Sequence, residues 1–506
     1  MSARKPASPA PQRQYRLSKS RLLSFLQCPK RLHLALHRPD LAEEDEGAAR
    51  RMAAGHGVGD IARSLHPGGV LIGHDDNLVA ALAETAERVN ASPRAPLFEA
   101  TFEHEGVLAR ADLMLPQGRG WRMVEVKSSA SVKDYHLRDC AIQTWVARHA
   151  GIRVHSVAVA HVDTAFVYPG GGNYGGLLKE VDVDDDIEAL ASEVPGWVSE
   201  AKAVLAGPEP AIPVGDQCED PFPCPFHAHC SRDLPPGPEY PVELLPGVAG
   251  KRLAAALRAS GIDDLRDAPE ERFENDQFRR IWQATASGEA FLDPAATKEL
   301  KRLGWPRHYL DFESVQFAVP IWADTRPYQQ VVFQWSCHTE SQNGKVMHRE
   351  FLETGGGDPQ RHFAESLLAA LDDDGPVFVY NQSFEATRLK ELADLFTDLA
   401  EKLKRIVGRM VDLLPITRRH YYHPEMKGSW SIKAVLPTVD GELSYDGLDT
   451  VAHGQEAQAA YLELMAPGIP DERKAELERG LLEYCRRDTL ALLKLCRMLS
   501  QEKWPR

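Results

Sequence analysis

The chain has 506 residues, of which 43% are hydrophobic and 26% are charged, and these values predict a globular protein of more than one domain. The net charge of −15 argues against a protein that coats nucleic acid through bulk positive charge, but it is compatible with a protein whose metal sites need carboxylates. No run approaches roughly 18 uncharged apolar residues, so no membrane span is expected, and the eight cysteines are too few for a disulfide scaffold.

The N-terminal segment, residues 1–15, is rich in Pro, Ser and Arg and lacks the apolar core of a signal peptide. We interpret it as a disordered leader of a cytoplasmic protein, with an organellar transit peptide as the alternative. Residues 1–38 contain nine Lys and Arg and no Asp or Glu, and a second basic stretch lies at 298–310. Each basic segment is a candidate phosphate contact or an ordinary solvated surface.

The first predicted domain, residues 16–232, alternates helices with strands and is therefore expected to be α/β. Ser18 is a candidate N-cap for a helix over 17–38. The other predicted elements are helices at 43–64, 76–92 and 134–150, an extended region at 96–115, and strands at 121–129 and 153–161.

A predicted β-hairpin carries the first candidate site. If Gly118 and Arg119 are the two central turn residues, Asp112 faces Glu125 across the strands. Lys127 shares the face of Glu125, because side chains alternate along a strand. Two carboxylates this close repel each other unless a proton or a cation lies between them, and Mg²⁺ or Mn²⁺ suits oxygen ligands. The sequence therefore favours a divalent metal site over a salt-bridged surface hairpin.

Four cysteines bracket this hairpin in the sequence. Cys218, Cys224 and Cys230 form a Cys-x5-Cys-x5-Cys run, and Cys28 lies far upstream. Clustered thiols in a reducing compartment indicate a metal group, which here would tie the two ends of the domain together. Zinc is an alternative, although its sites usually use closer cysteine spacing. The remaining cysteines are expected to be core residues: Cys140, Cys337, Cys485 and Cys496.

Residues 233–304 are predicted to form a Pro-rich linker followed by short helices. Within them, 244–269 has the Pro-Gly turn and the spacing of a helix-hairpin-helix, a motif that offers backbone N–H groups to phosphate. A plain helical spacer is the alternative.

The last predicted domain, residues 305–506, is a second α/β unit. Its strands are expected at 309–314, 327–338, 346–352 and 376–381, and its helices at 359–371, 383–395, 412–422, 456–466 and 472–500.

Four acids and a tyrosine form the second candidate site. Asp311 and Glu313 alternate on one predicted strand and point to one face, while Tyr484 and Asp488 lie four residues apart on one helix face. With Glu385, at the start of another helix, these side chains suit two divalent ions. We expect Asp311 to bridge the ions and Tyr484 to position the attacking water, since a phenol ordinarily titrates at about pH 10.

The order Asp112, then Glu125-Val126-Lys127, then Gln143 on the next helix resembles the PD-(D/E)XK nucleases of the RecB-like branch. One cysteine before and three after the core make the chain similar to members with an iron–sulfur cluster, such as the CRISPR adaptation exonuclease (Cas-four). The resemblance implies a restriction-endonuclease-like fold, a [4Fe–4S] cluster on the four thiols, and cleavage of DNA, often at single-stranded ends. It also implies metal ligation by Asp112, Glu125 and the Val126 carbonyl, with Lys127 orienting the attacking water or stabilising charge.

Two positions depart from that family. Gly59 stands where a His is expected on the early helix, with His56 nearby, and Ala147 stands where a Tyr usually follows Gln143. Glu99 is an additional candidate helper for the metal.

The pattern D-x-E at 311–313, N-x-x-F-acid ending at Glu385, and Tyr484-x3-Asp488 resembles the DnaQ-like (DEDDy) 3′–5′ exonucleases of the ribonuclease-H-like fold. This family usually has Asp where Glu385 stands. Asp412 is a reserve ligand or the cap of the following helix. The resemblance implies that Asn381 and Lys433 contact nucleic acid.

Together these resemblances predict a multidomain α/β protein in which a PD-(D/E)XK core is joined by a small helical segment to a ribonuclease-H-like exonuclease. We expect an Mg²⁺- or Mn²⁺-dependent hydrolase of phosphodiester bonds with two sites on DNA, acting in repair or defence. The alternatives are a nucleic-acid-binding scaffold with one or both sites inactive, and a ribonuclease.

Overall fold

The structure is a computed structural model that describes residues 17–43, 46–74, 77–441, 451 and 454–501. The predicted leader, 1–15, lies outside the described residues. The chain divides into two compact units, one formed by Met1–Leu234 with Phe317–Gln329 and the other by Pro235–Gln316 with Gln330–Arg506. Within the described ranges, no helix combines the length and the apolar character needed to cross a bilayer.

The first unit is built on a mixed β-sheet. Its strands are β1 (Leu17–Ser18), β2 (Val70–Leu71), β3 (Leu97–His104), β4 (Val107–Gln117), β5 (Gly120–Lys127), β6 (Val154–Val162) and β7 (Leu178–Asp182). In the described part of the chain their order is β2-β3-β4-β5-β6-β7, and β1 pairs with β4. The pairs β3–β4, β4–β5 and β6–β7 are antiparallel, whereas β2–β3, β5–β6 and β1–β4 are parallel.

Helices pack against this sheet and bury its apolar side chains. They are α1 (Lys19–Gln27), α2 (Pro29–His37), α3 (Glu46–Ser64), α4 (Leu78–Val89), α5 (Asp134–His149), α6 (Asp184–Ala206) and α7 (His227–Ser231). α5 lies in the core, and its residues 139–147 are all buried. The main cluster joins side chains of β3, β4, β5 and β6 to those of α1, α5 and α6. The candidate residues on β4, β5 and α5 therefore stand on elements that contribute to this core.

The predicted helix over 17–38 is wrong in one respect, because it is two helices with a break at Cys28. Pro29 cannot continue a helix and forces the preceding residue to be extended, as the Cys28 φ of −161° and ψ of 117° confirm. Ser18 caps α1 as predicted, since its side chain accepts a hydrogen bond from the backbone N–H of Arg21 at 3.3 Å.

The predicted hairpin register is confirmed. Gln117 pairs with Gly120 and Leu113 with Val124, so the loop has two residues, and Gly118 takes a positive φ of 57°. The turn therefore needs glycine at this position, as a two-residue hairpin loop does.

The second unit contains a second mixed sheet and a short two-stranded one. Its strands are β8 (Phe291–Leu292), β9 (Arg307–Val315), β10 (Val331–Glu340), β11 (Val346–Leu352), β12 (Val377–Val379), β13 (Met410–Asp412) and β14 (Tyr421–Tyr422). In the described residues the larger sheet has the order β11-β10-β9-β12-β13. β9 is antiparallel to β10 and parallel to β12, which places it at the centre of the sheet.

The helices of the second unit include those predicted at 383–395 and near the C-terminal end. They are α8 (Gly247–Arg258), α9 (Asp276–Ser287), α10 (Ala295–Lys301), α11 (Gln360–Ala370), α12 (Ser383–Leu395), α13 (Ala400–Gly408), α14 (Leu413–His420), α15 (Ile432–Val439), α16 (Gly454–Leu464) and α17 (Asp471–Leu499). The segment predicted as linker and short helices contains α8, α9 and α10, and its core side chains pack with those of α14, α15 and α17.

Polar contacts fix α17 on the sheet. Gln334 Nε2 on β10 donates to the carbonyl of Leu481 at 2.7 Å, and the hydroxyls of Ser336 and Thr489 lie 2.8 Å apart. These groups are buried, so an unmade hydrogen bond there costs about 1–3 kcal/mol. The contacts therefore set the rotation of α17 relative to β9 and β10.

Candidate active sites

The first candidate site lies where the β4–β5 hairpin meets α5 and the start of α1. Asp112 comes from β4, while Glu125 and Lys127 come from β5, and all three line one cavity. Asp112 Oδ2 accepts a hydrogen bond from the backbone N–H of Val126 at 2.7 Å. The hairpin thus brings together the three side chains that the sequence selected.

Two lysines neutralise the carboxylates of this site. Lys127 Nζ lies 2.6 Å from Glu125 Oε1 and 2.6 Å from Asp139 Oδ2. Lys19 Nζ lies 2.9 Å and 3.1 Å from the two oxygens of Glu125, and 3.1 Å from Asp139 Oδ1. Sequence reasoning missed both Lys19 and Asp139. Asp139 could have been found from the sequence, because it precedes Gln143 by four residues and residues at that spacing share a helix face.

Burial and neighbouring charges separate the pKa values of the acids. Burial, with the Glu125 charge adding to it, raises the pKa of Asp112 to about 7. Burial acts on Glu125 in the same direction, but Lys127 and Lys19 outweigh it and lower the pKa of Glu125. Burial and Glu125 raise the pKa of Asp139. Glu125 is therefore ionised, while Asp112 is only partly protonated near neutral pH. A divalent cation can replace the proton of Asp112.

A cavity of about 390 Å³ gives access to the carboxylates of the hairpin. Glu99 on β3 lines it with a φ of 58°, an uncommon backbone conformation for a residue other than glycine. Burial raises the pKa of Glu99. The lining from α3 consists of Gly55, His56, Gly59 and Arg63. Gly59 faces the cavity without offering a ligand, and the exposed His56 lines it as well.

Gln143 lies deeper than the resemblance suggested. It is fully buried on α5, and its Oε1 accepts a hydrogen bond from Lys19 Nζ at 3.4 Å. Ala147, one turn further along α5, is a buried core residue. Gln143 therefore touches the site through Lys19.

The structure ties the end of α1 to the loop that carries the later cysteines. Gln27 Nε2 donates to the carbonyls of Gln217 at 2.9 Å and Phe222 at 2.7 Å. Gln27 immediately precedes Cys28, and Gln217 immediately precedes Cys218. These two bonds hold the two cysteine segments side by side.

The four thiols lie at this junction with basic side chains beside them. Cys28 and Cys218 are buried, and Cys224 and Cys230 are partly buried. Burial raises the pKa of Cys224 and of Cys230. Arg31 opposes the rise at Cys224, and Lys30 opposes it at Cys230. The neighbouring thiols of Cys218 and Cys28 raise both pKa values further. In the described part of the chain, no three of the four sulfurs lie mutually within 4.8 Å. A tetrahedral zinc, with Zn–S of about 2.3 Å, brings its sulfurs within about 3.8 Å of one another.

The other four cysteines are core residues, as the sequence predicts. Cys140, Cys337, Cys485 and Cys496 are at most 3% exposed. Cys485 also contacts the second site, where its Sγ donates to Asp311 Oδ2 at 3.7 Å.

The second candidate site forms where α17 crosses the centre of the larger sheet. Asp311 and Glu313 lie on one face of β9, and Asp488 approaches them from α17. A group of at least three His, Cys, Asp or Glu side chains whose ligand atoms lie close together can hold a metal ion. Within the described residues, Asp311, Glu313 and Asp488 are the one such group with ligand atoms all within 4.8 Å of one another. With Tyr484 and Lys433, these residues line a cavity of about 200 Å³.

The acids of the second site repel one another in the absence of a cation. Burial, followed by the charges of Asp488 and Glu313, raises the pKa of Asp311 well above its ordinary value. Burial and Asp488 do the same to Glu313, and Lys433 opposes the rise. Burial lowers the pKa of Lys433. Three carboxylates, that of the buried Asp488 and those of the half-buried Asp311 and Glu313, lie beside one ammonium and make a donor set that fits hard divalent ions such as Mg²⁺ or Mn²⁺.

Glu385 lies close to this group without joining it. It is 2% exposed on α12, and its Oε2 has no hydrogen-bond partner among the described residues. Burial raises the pKa of Glu385 to about 8, and its charge in turn raises the pKa of Asp311. An unpartnered buried carboxylate oxygen needs a proton or a cation, so Glu385 is suited to complete a metal shell.

Asp412 acts as a cap. Its Oδ1 accepts from the backbone N–H groups of Asn381 at 3.0 Å and Leu414 at 2.9 Å, and its Oδ2 accepts from that of Gln382 at 3.1 Å. Asn381 has a φ of 70°, a conformation that Asn tolerates better than most residues. Asp412 thus orders the turn that starts the helix of Glu385, and its reserve role as a metal ligand is not needed to explain its position.

Tyr484 and Lys433 face the same cavity from two helices. Lys433 Nζ lies 5.1 Å from the centre of the Tyr484 ring. Ser431 caps α15 by accepting from the backbone N–H of Ala434 at 3.2 Å, which fixes the turn that carries Lys433. An ammonium and a phenol beside three carboxylates can bind a phosphate and orient a water.

Glu385→Gln is expected to stabilise the metal-free protein in a pH-dependent manner. The folded-state pKa of Glu385, about 8, exceeds its ordinary value of 4.5, so the ionised carboxylate disfavours the folded state. This penalty is absent below about pH 4.5 and complete above about pH 8, so the gain from the variant grows between these limits to about 5 kcal/mol. Urea unfolding in EDTA measures it. Asp394→Asn, an exposed change on the same helix, is the control, and a gain that does not vary with pH would contradict the assignment.

Comparison with known proteins gives matches without an assigned activity. A domain of unknown function, DUF2779, matches residues 308–431, which is less than half of the chain. Uncharacterized protein MG366 homolog from Mycoplasma pneumoniae is 27% identical over 206 residues, or 37% of this chain and 31% of the relative. Uncharacterized protein UU173 from Ureaplasma parvum is 27% identical over 255 residues, or 46% of this chain and 36% of the relative. The chain thus spans about a third of the length of these curated relatives.

Proposed function

We propose that this protein is a metal-dependent nuclease with two sites that act on DNA ends, in repair or in defence against foreign DNA. The observation that carries the proposal is the convergence of Asp311, Glu313 and Asp488, from a central strand and the last long helix, with oxygens within 4.8 Å. Three carboxylates this close together repel one another unless cations bind them, and such sites are typical of phosphoryl-transfer enzymes. The thiols favour a reducing, cytoplasmic location.

At the second site the chain supplies binding and orientation. A divalent ion held by Asp311, Glu313 and Asp488, with Glu385 completing the shell, supplies Lewis-acid stabilisation of the charge that develops on the phosphate. Lys433 binds the phosphate that enters the cavity. Tyr484 orients the attacking water through its hydroxyl, and the proposed reaction is removal of nucleotides from the 3′ end.

At the first site Asp112, Glu125 and the Val126 carbonyl are the proposed ligands, and Glu99 is positioned to assist. Lys127, held between Glu125 and Asp139, keeps an ammonium beside the ligands. Burial lowers the pKa of this ammonium, but Glu125 and Asp139 outweigh burial and raise it. Lys127 therefore stays charged and acts by orienting water or stabilising charge on the phosphate, rather than as a base.

The proposed group on the four thiols is a [4Fe–4S] cluster. Its support is the junction held by Gln27 and the basic residues Lys30 and Arg31 beside the thiols. The cluster would lock the end of α1 to the later loop and so stabilise the first unit.

Anaerobic purification is expected to give a brown protein with about four irons per chain. Cys224→Ser is expected to lose the colour and most of the iron and to lower the melting temperature, because a metal group that joins distant segments contributes to folding. Cys337→Ser, at a core cysteine of the second unit, is the control and keeps the iron. A colourless protein with stoichiometric zinc would contradict the cluster assignment.

The experiment that tests the proposed function is nucleotide release from end-labelled strands, with Mn²⁺ or with EDTA. Single-stranded DNA, duplex DNA and RNA of one sequence are compared. Release from DNA that requires Mn²⁺ supports the proposal, and preferential release from RNA would make the protein a ribonuclease. Tight binding of the strands without release would favour a nucleic-acid-binding scaffold.

A further inference from the structure

Lys19 is fixed at the first site by its place in the fold. β1 pairs with β4 through Leu17 and Val107 and through Ser18 and Leu108, so the next residue lies beside the catalytic hairpin. α1 begins at Lys19 and ends at Gln27, and the next residue, Cys28, donates its backbone N–H to the carbonyl of Ser24 at 3.0 Å. The backbone of Lys19 is therefore held on both sides, and only its side chain has freedom to move.

Lys19 and Lys127 contact Glu125 differently. Lys127 Nζ lies 2.6 Å from Oε1 of Glu125, whereas Lys19 Nζ donates to Oε1 at 2.9 Å and to Oε2 at 3.1 Å. A carboxylate oxygen has two lone pairs, so the two ammonium groups occupy those of Oε1, whereas of these two lysines only Lys19 donates to Oε2. Lys127 lines the cavity together with Glu125. The cavity thus reaches the carboxylate of Glu125.

We propose that Lys19 is a positioning residue that restricts Glu125 to binding a divalent ion through Oε2 alone and that weakens the site for ions preferring both oxygens. This inference rests on the proposed function of the first site. Ca²⁺ commonly takes carboxylates in the bidentate mode, whereas Mg²⁺ demands octahedral geometry and keeps several waters. Lys19 therefore selects Mg²⁺ and Mn²⁺ over Ca²⁺.

Charge acts in the same direction as geometry. The Lys19 ammonium lies within 3.1 Å of both Glu125 oxygens and of Asp139 Oδ1, so it repels any cation that enters beside them. Its removal frees a lone pair on Oε1 and deletes one positive charge. Affinity for all divalent ions is then expected to rise, with the larger rise for Ca²⁺.

Calorimetric titration of the full chain with Ca²⁺ and with Mg²⁺ tests the inference without relying on turnover. Asp311→Asn is used as the background so that the first site dominates the titration. Lys19→Gln is expected to bind Ca²⁺ about tenfold more tightly and Mg²⁺ about threefold more tightly than the background. Lys19→Arg keeps the charge and is expected to stay within about twofold of the background for both ions.

The outcomes separate the inference from the proposed function. If the background binds neither ion, or if adding Asp112→Asn leaves its titration unchanged, the first metal site itself is wrong. If the background binds both ions and Lys19→Gln binds Ca²⁺ no more tightly, the role of Lys19 is wrong while the site stands. If Lys19→Gln fails to fold, the double variant Lys19→Gln with Asp139→Asn replaces it, because it removes one cation and one buried acid together. The inference then requires that this double variant show the same rise in Ca²⁺ affinity.

Discussion

Asp311→Asn is expected to abolish the Mn²⁺-dependent removal of nucleotides from 3′ ends. Asp311 belongs to the group formed with Glu313 and Asp488, so its neutral replacement removes a ligand while preserving the shape of the side chain. A loss of about 4 kcal/mol of charge stabilisation corresponds to a fall of about 10³-fold in rate. End-labelled single strands resolved on denaturing gels measure this rate.

The same variant is expected to be more stable than the wild type in EDTA. Burial and the charges of Asp488 and Glu313 disfavour an ionised Asp311 in the folded state, so an amide there relieves repulsion. Loss of activity with a gain in stability distinguishes a catalytic defect from misfolding. Asp394→Asn, exposed on α12, is the matched control and should change neither property. Unchanged release by Asp311→Asn would remove the second site from the account.

Asp112→Asn is expected to abolish the cleavage that persists when the second site is disabled. In the Asp311→Asn background, all remaining Mn²⁺-dependent cleavage is assigned to the first site, and the second substitution should lower it about 10³-fold. Asn can still accept the N–H of Val126 through its own oxygen, so the hairpin should keep its geometry. Labels at the 5′ end and at the 3′ end, tested separately, give the polarity of this site.

The pH dependence of the first site provides a second readout. Because the pKa of Asp112 is raised to about 7, a proton competes with the metal below neutral pH, so cleavage should rise from pH 6 to pH 8 at limiting Mn²⁺. Excess Mn²⁺ should flatten this dependence. Glu188→Gln, an exposed change on α6, is the control variant, and its cleavage should show the same dependence on pH as that of the parent protein. Cleavage by the double variant Asp112→Asn with Asp311→Asn at the level of the single variant would show that the remaining activity comes from elsewhere.

Local geometry made the first site predictable. A two-residue loop at Gly118 and Arg119 fixes the register of the hairpin, and the register alone places Asp112 beside Glu125. Alternation along β9 likewise places Asp311 and Glu313 on one face. In each case, residues close in sequence are related by one regular element or by one turn.

The parts that sequence reasoning missed depend on tertiary packing. Lys19 reaches Glu125 because β1, only two residues long, pairs with β4 about 90 residues away, and nothing in its local sequence signals that pairing. α6 has Pro195 inside it, so its sequence suggests a break rather than one helix of 23 residues. The break at Cys28 was readable from Pro29, and the apolar periodicity on both sides of it obscured that signal.

The central claim is that two sets of acidic side chains, brought together by the fold, hold divalent ions. Anomalous diffraction from crystals of the wild-type protein soaked in Mn²⁺ tests this claim most directly. We expect manganese peaks among Asp311, Glu313 and Asp488 and beside Asp112 and Glu125, and each set of peaks should be lost in the matching Asn variant. Absence of manganese from both places in the soaked wild-type crystals would contradict the account.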